Sequence, residues 1–92
     1  MAKLTKKELK AGLADLPGWR QQGDAIERTY AFSNFRVALA FVGFAGEVAE
    51  ELGHHPDIDV RYNRVRLAVT THDAGGLTAK DLELARRLDQ RG

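Results

Sequence analysis

The stretch from Phe35 to Leu52 constrains this chain more than any other, because it reads as a helix that is apolar around most of its circumference. At about 100° per residue, Phe35, Leu39, Val42, Gly46 and Ala49 fall on one side, and Val37, Phe41, Phe44 and Val48 on the other. Only a narrow sector with Arg36, Gly43, Glu47, Glu50 and part of Glu51 is left for water. Such a helix needs two covers. A sheet within the chain is expected to supply one, against the Phe35 side. The Val37, Phe41, Phe44, Val48 stripe then serves self-association or a partner. With 92 residues the chain forms a single domain, 1–92. A domain of that size is marginal alone, so a homodimer or homotetramer is expected.

The flanks supply the sheet. Ile26 to Phe32 alternates apolar and polar residues, as do Asp57 to Tyr62 and Val65 to Thr71, and each run reads as a strand. Trp19 to Gln22 is a short fourth strand, turned by Gly23-Asp24. Asn63-Arg64 is placed to turn the last two strands into a hairpin, asparagine tolerating positive φ. Arg28 interrupts one apolar face and predicts partial solvation there. Thr5 with Glu8, and Thr78 with Asp81, read as capping boxes stapled by Leu4 with Leu9 and Leu77 with Leu82. They open a short first helix, ending before Pro17-Gly18, and a last helix running to about Gln90. Ser33 or Asn34 caps the long helix, and Gly53 with Pro56 ends it. The fold class expected is α+β, a four-stranded antiparallel sheet with three helices packed on one face.

Composition removes whole classes of function. Lys and Arg number 14 against 13 Asp and Glu, a net charge of +1, and the basic residues are scattered, so no nucleic-acid footprint is present. The chain has no cysteine, which excludes disulfides, thiol chemistry and thiolate metal sites. The charged start, Met1 to Lys7, lacks the apolar core of a signal peptide. The apolar run Val37–Val48 is too short to span a bilayer. A soluble, cytoplasmic protein without a membrane partner is expected.

Chemistry near neutral pH rests on three histidines, His54, His55 and His72, and no others. His54 and His55 follow the end of the long helix. His72 follows the strand that pairs back onto the one starting after Pro56. The start of the first strand of an antiparallel hairpin lies beside the end of the second, so the three should converge. Convergent imidazoles suit general acid/base catalysis. Asp57, Asp59 and Asp73 are near enough to add oxygens to a metal site, but no familiar ligand spacing is present and metal is the weaker reading. Exposed histidines without a role are the bland alternative, disfavoured by convergence.

The spacing carries a resemblance. Glu50, three residues, His54-His55-Pro56, five residues, Tyr62, nine residues, His72, eight residues, Asp81 is similar to the signature of the pterin-4a-carbinolamine dehydratases, also known as dimerisation cofactors of a homeodomain transcription factor. Leu16-Pro17-Gly18-Trp19, Gly23 to Ile26, Tyr30 to Phe35 and Tyr62 to Val65 fit the same pattern. The resemblance implies dehydration of 4a-hydroxytetrahydrobiopterin to quinonoid dihydrobiopterin, with no cofactor and no metal. It implies a place in recycling for an aromatic amino acid hydroxylase. It also implies His54 and His72 as the acid/base pair, with His55 mainly holding the pterin and Glu50 orienting an imidazole. Pro56, Thr71, His72, Asp73 and Ala74 would line the pterin edge. Trp19 could stack on the ring, although packing at the sheet edge is the better reading. Asp81 reads as a helix cap, Tyr62 as sheet packing and Lys80 as a surface charge. Two departures stand out: many relatives carry an acidic residue at Gly53, and some carry arginine at Lys80. The alternatives are a protein-binding dimerisation module and action on another pterin, such as one of molybdenum-cofactor metabolism.

Overall fold

The computed structural model describes residues 2–92. Its elements follow in the order α1 (Lys6–Ala14), β1 (Arg20–Gln22), β2 (Ala25–Ala31), α2 (Phe35–Leu52), β3 (Asp57–Arg61), β4 (Arg64–Val69) and α3 (Ala79–Asp89), with a 3-10 turn at His72–Ala74 before α3. The fold is α+β as the sequence predicts, three helices with an open antiparallel sheet in the order β1-β2-β4-β3. Both capping boxes form, Thr5 with Glu8 and Thr78 with Asp81, and Asn34 caps α2 through its side chain. No described helix is long and apolar enough to cross a membrane.

Alternation along β2 and β4 sends Ile26, Tyr30, Val65, Leu67 and Val69 into the core. Against them lie Ala38, Phe41, Ala45 and Val48 of α2 and Leu84, Ala85 and Leu88 of α3. This overturns the expected orientation of α2. Phe41 and Val48 face the sheet, while Phe35 and Leu39 are 46% and 45% exposed; the buried face lies between the two stripes, since Val37 stays exposed and Ala49 is buried. The reason is packing. The Phe41 ring centroid lies 4.6 Å from that of Tyr30 and 5.0 Å from that of Phe32. Three alanines beside Phe41, at 38, 45 and 49, let the helix backbone approach the sheet. The Phe35 side, with Gly46 in it, has less to bury.

Arg28 does not open its face to water as a lone charge. It pairs with Asp89 at 2.9 Å and lies over the Tyr30 ring, 4.4 Å from the centroid. The same Asp89 Oδ1 accepts from Trp19 Nε1 at 3.0 Å and from the Tyr30 hydroxyl. Burial first, and the adjacent carboxylate second, hold the Tyr30 phenol protonated far above its ordinary range. The β3–β4 turn is also shifted. Its two central residues are Tyr62 and Asn63, and Tyr62 takes the left-handed conformation, at φ +50°. Asn63 instead ties the turn to the residue just after β2, its Nδ2 donating to Phe32 O at 2.8 Å.

On the opposite face of the sheet, Glu27 receives both Arg20 and Arg66. Arg20 Nε and Nη2 bond Oε1 at 3.2 and 3.0 Å, and Arg66 Nε and Nη2 bond Oε2 at 3.0 and 2.5 Å. These bonds, Arg66's first, hold the Glu27 carboxyl below its ordinary value. A depressed folded-state pKa stabilises at pH above the unfolded value, about 4.3, and that stabilisation is lost as pH falls through the folded value. Glu27→Gln should therefore unfold at lower urea than wild type at pH 7, with the gap closing at pH 3; a gap of equal size at both would refute the pairing. For the core, Phe41→Ala should cost about 3–5 kcal/mol, whereas Leu39→Ala should cost less than about 1 kcal/mol. Similar urea midpoints for the two would overturn the assigned orientation of α2.

Candidate active site

α2 ends where Gly53 takes φ +61°, a left-handed cap that a side chain would strain. The Gly53 and His54 N–H groups donate back to Glu50 O and Ala49 O at 3.3 and 3.0 Å. The chain then turns so that successive imidazoles diverge. The side chain of His54 is 11% exposed and that of His55 62%.

His72 arrives from the other direction. Beyond β4, Thr71 and Gly76 bond each other's backbones at 3.2 and 3.3 Å, closing a loop whose turn begins at His72. Asp57 pairs with Ala68, so the start of β3 lies beside the end of β4. His55 and His72 consequently line one notch of about 40 Å³, with Ala25, Asp57, Ala68, Val69 and Thr70. Ala25 and Ala68 are the small side chains of the sheet's outer face, and they keep the floor low.

His54 stands apart from the notch and is committed elsewhere. Its Nε2 lies 2.6 Å from Asp81 Oδ1. Asp81 is fully buried, and its Oδ2 accepts from Thr71 Oγ1 and from Thr78 N, both at 2.8 Å. Thr78 Oγ1 lies 2.9 Å from Thr71 Oγ1. Since the carboxylate only accepts, Nε2 carries the hydrogen and the tautomer of His54 is set by its partner. Among the described residues, no buried side-chain nitrogen or oxygen is without a partner. The exposed His55 is oriented differently, its Nε2 2.5 Å from Glu50 Oε2.

Of the residues expected at a site, then, His55 and His72 meet in the notch, Glu50 stands behind His55, and His54 is held inside. Pro56, Thr71, Asp73 and Ala74 adjoin the lining residues in sequence without lining the notch. Trp19 is in the core, bonded to Asp89, and lines nothing there. The sequence reading placed Asp57 near the histidines, as a possible metal ligand, but missed Thr70 and the two alanines, whose signal was small residues interrupting a polar sheet face. It also missed that Asp81 does two things. Its capping-box position was legible, but the bond to His54 spans 27 residues. Among the described residues, no group of three or more His, Asp or Glu is placed to hold a metal ion.

Comparison with known proteins adds the chemistry's context. The profile of the family described as Pterin 4 alpha carbinolamine dehydratase matches residues 2–91. A protein of Thermomicrobium roseum, provisionally named a pterin-4-alpha-carbinolamine dehydratase, is 56% identical over 88 residues, covering 96% of this chain and 95% of the relative. One of Acidobacterium capsulatum, named in the same way, is 55% identical over 97% of both chains. Among solved structures, a transcriptional coactivator/pterin dehydratase from Brucella melitensis superposes with TM-score 0.93 at 35% identity, over 98% of this chain and 99% of that one. A pterin dehydratase-like protein described as a RuBisCO assembly factor in the alpha-carboxysome gives TM-score 0.68 at 25% identity, over 79% and 87%.

The two capping boxes provide an internal control for Asp81. Thr5→Ala should cost about 1 kcal/mol, the value of a helix cap. Asp81→Ala should cost about 3 kcal/mol, because it also leaves the largely buried His54 imidazole without its acceptor and takes one of two partners from the half-buried Thr71 hydroxyl. Equal losses in chemical denaturation would mean that the His54 contact contributes nothing.

Proposed function

The chain belongs to the pterin 4 alpha carbinolamine dehydratase family, and on that premise we propose that it dehydrates 4a-hydroxytetrahydrobiopterin to quinonoid 6,7-dihydrobiopterin. The observation that carries the reading is the pair of exposed imidazoles, His55 and His72, on one notch with a floor of small side chains. The reaction is redox-neutral. One imidazolium gives its proton to the 4a-hydroxyl oxygen and the C4a–O bond breaks, releasing water. The N5 lone pair forms the N5=C4a double bond, and the neutral imidazole takes the N5 proton. Solvent exchange resets both groups, so the residues need no cofactor. Transfers of this kind by positioned groups contribute about 10²–10⁴-fold.

Geometry favours a different division of labour from the one the resemblance implies. His54 has its Nε2 committed to buried Asp81, so it acts as a positioning residue under the site. His55 and His72 are the exposed pair and take the proton transfers, with Glu50 holding the His55 ring. A notch of about 40 Å³ cannot enclose a bicyclic ring. The pterin instead rests across Ala25 and Ala68 on the open sheet face, its reacting edge at the histidines. The backbone of the Thr71–Ala74 turn, with Pro56, borders that edge. Recycling for an aromatic amino acid hydroxylase is the proposed setting, and another pterin offering the same ring edge would bind alike.

Self-association belongs to the same proposal. α2 leaves Phe35, Val37 and Leu39 exposed, and β3 is a sheet edge with Ile58 38% exposed. Either face fits a second copy of the chain by symmetry.

The test follows decay of 4a-hydroxytetrahydropterin, generated in situ, with wild type and with His55→Ala, His72→Ala and His54→Ala. Acceleration by wild type is expected, falling about 10²-fold or more in His55→Ala and His72→Ala with thermal melts retained. His54→Ala should lose stability as well as rate. No acceleration over the spontaneous reaction would remove the dehydratase reading. Full activity in His55→Ala would return the acid/base role to His54.

A further inference from the structure

A second concavity, far roomier than the histidine notch, lies on the described surface. A half-open groove of about 800 Å³ runs along α1, between that helix, the β1–β2 turn and the Gly76-Leu77 segment. That volume lies within the range of small-molecule sites, roughly 300–1,000 Å³. Its floor is aliphatic, made by Leu4, Leu9, Leu13 and Leu77. Among the described residues no aromatic side chain lines it, so a planar ring would have nothing to stack on. Lys3, Lys6 and Lys10 stand along the groove against a single carboxylate, that of Asp24. Lys6 and Lys10 are one helical turn apart, the same step that separates Leu9 from Leu13, so α1 presents an apolar and a cationic row side by side.

These ammonium groups are also unspent. Every described salt bridge uses arginine or histidine as its cation, and none uses lysine. We propose that this groove binds a free acyl carboxylate, its alkyl chain along the leucine floor and its head group among Lys3, Lys6 and Lys10. The two features select for each other. An aliphatic floor without aromatics favours a flexible alkyl chain, and unpaired ammonium groups beside it favour an anion over a neutral or cationic amphiphile. The site is separate from the notch but shares walls with it. Asp24 borders the groove, and its carbonyl accepts from Thr70 Oγ1 at 2.5 Å, while Thr70 lines the notch. Gly76 borders the groove and closes the loop that begins at His72.

The experiment titrates the full chain with decanoate, below its micelle concentration, and follows backbone amide resonances. Saturable shifts are expected along Leu4–Ala14, at Gln21 to Asp24 and at Gly76-Leu77. Decanol and decyltrimethylammonium should bind at least about tenfold more weakly, as should decanoate to the double variant Lys6→Glu/Lys10→Glu. Both substitutions lie on an exposed surface; glutamate at position 6 is favourable in the first turn of α1 and offsets the small i,i+4 repulsion with position 10, so the variant should keep its melting temperature. The proposal fails if no saturable shift occurs, if the shifts map to the exposed side of α2, if the neutral or cationic amphiphile binds equally, or if the double variant binds like wild type. Binding of an acidic helical peptide with no response to decanoate would assign the groove to a protein partner and overturn it as well.

Discussion

The buried carboxylate of Asp81 is the contact on which the functional end of the molecule depends. An ionised side chain with no exposure is tolerable only if its acceptor positions are filled. Here the fillings come from three separate places: His54 beyond the C-terminus of α2, Thr71 at the start of the loop after β4, and the Thr78 backbone at the start of α3. The helix start itself favours a negative charge at this position. One desolvated charge thereby joins three chain segments, two of which carry the adjacent histidines His55 and His72. Were the three segments free to move separately, the two exposed imidazoles would have no fixed relation to each other.

α3 is anchored at its other end by a second carboxylate, for a different reason. Asp89 ends the helix, where the dipole disfavours negative charge. That cost is offset by three donors converging on one oxygen, from Trp19, Arg28 and Tyr30. The helix is thus pinned to the loop side of the sheet by Asp81 and to the β2 side by Asp89. Between the pins, Leu84, Ala85 and Leu88 fill the core. The outer sheet face repeats the scheme, with Glu27 between Arg20 and Arg66 tying β1, β2 and β4 together beyond their backbone ladder.

What was legible in the sequence follows from range. Caps, turns and strand alternation are local, and α1, α2, α3 and the strand order of the hairpin came out where Thr5, Asn34, Thr78 and the period of two placed them. Convergence of His55 with His72 was also legible, because a tight hairpin fixes which strand ends are neighbours. The rotation of α2 was not. Two opposed apolar stripes have similar hydrophobicity, and the buried face settles between them, taking Phe41 and Val48 from one and Ala49 from the other, because of the aromatic contacts of Phe41 with Tyr30 and Phe32, which no periodicity encodes. The roles of Arg28 and Asp81 were hidden for a related reason. Each looked locally complete, as a break in a face and as a cap, while its partner lay 61 or 27 residues away. The turn at Tyr62 went against residue preference, asparagine being the better left-handed residue, because Asn63 is engaged with Phe32 instead.

Position 53 carries no carboxylate, and the backbone there accounts for it. Gly53 sits in the left-handed cap of α2, and a Cβ there would meet no atom within 4 Å. An acidic side chain at this position would extend into open space and would strain the cap, at the order of about 1 kcal/mol for a residue with a Cβ. Glycine removes that strain and removes one negative charge from the neighbourhood of His54 and His55. Both histidines retain a carboxylate, His54 from Asp81 and His55 from Glu50, and both carboxylates come from regular helix rather than from the cap. The chain therefore holds its paired imidazoles from α2 and α3, and leaves the cap to do only what glycine does best, which is to reverse the backbone so that His54 turns inward and His55 outward.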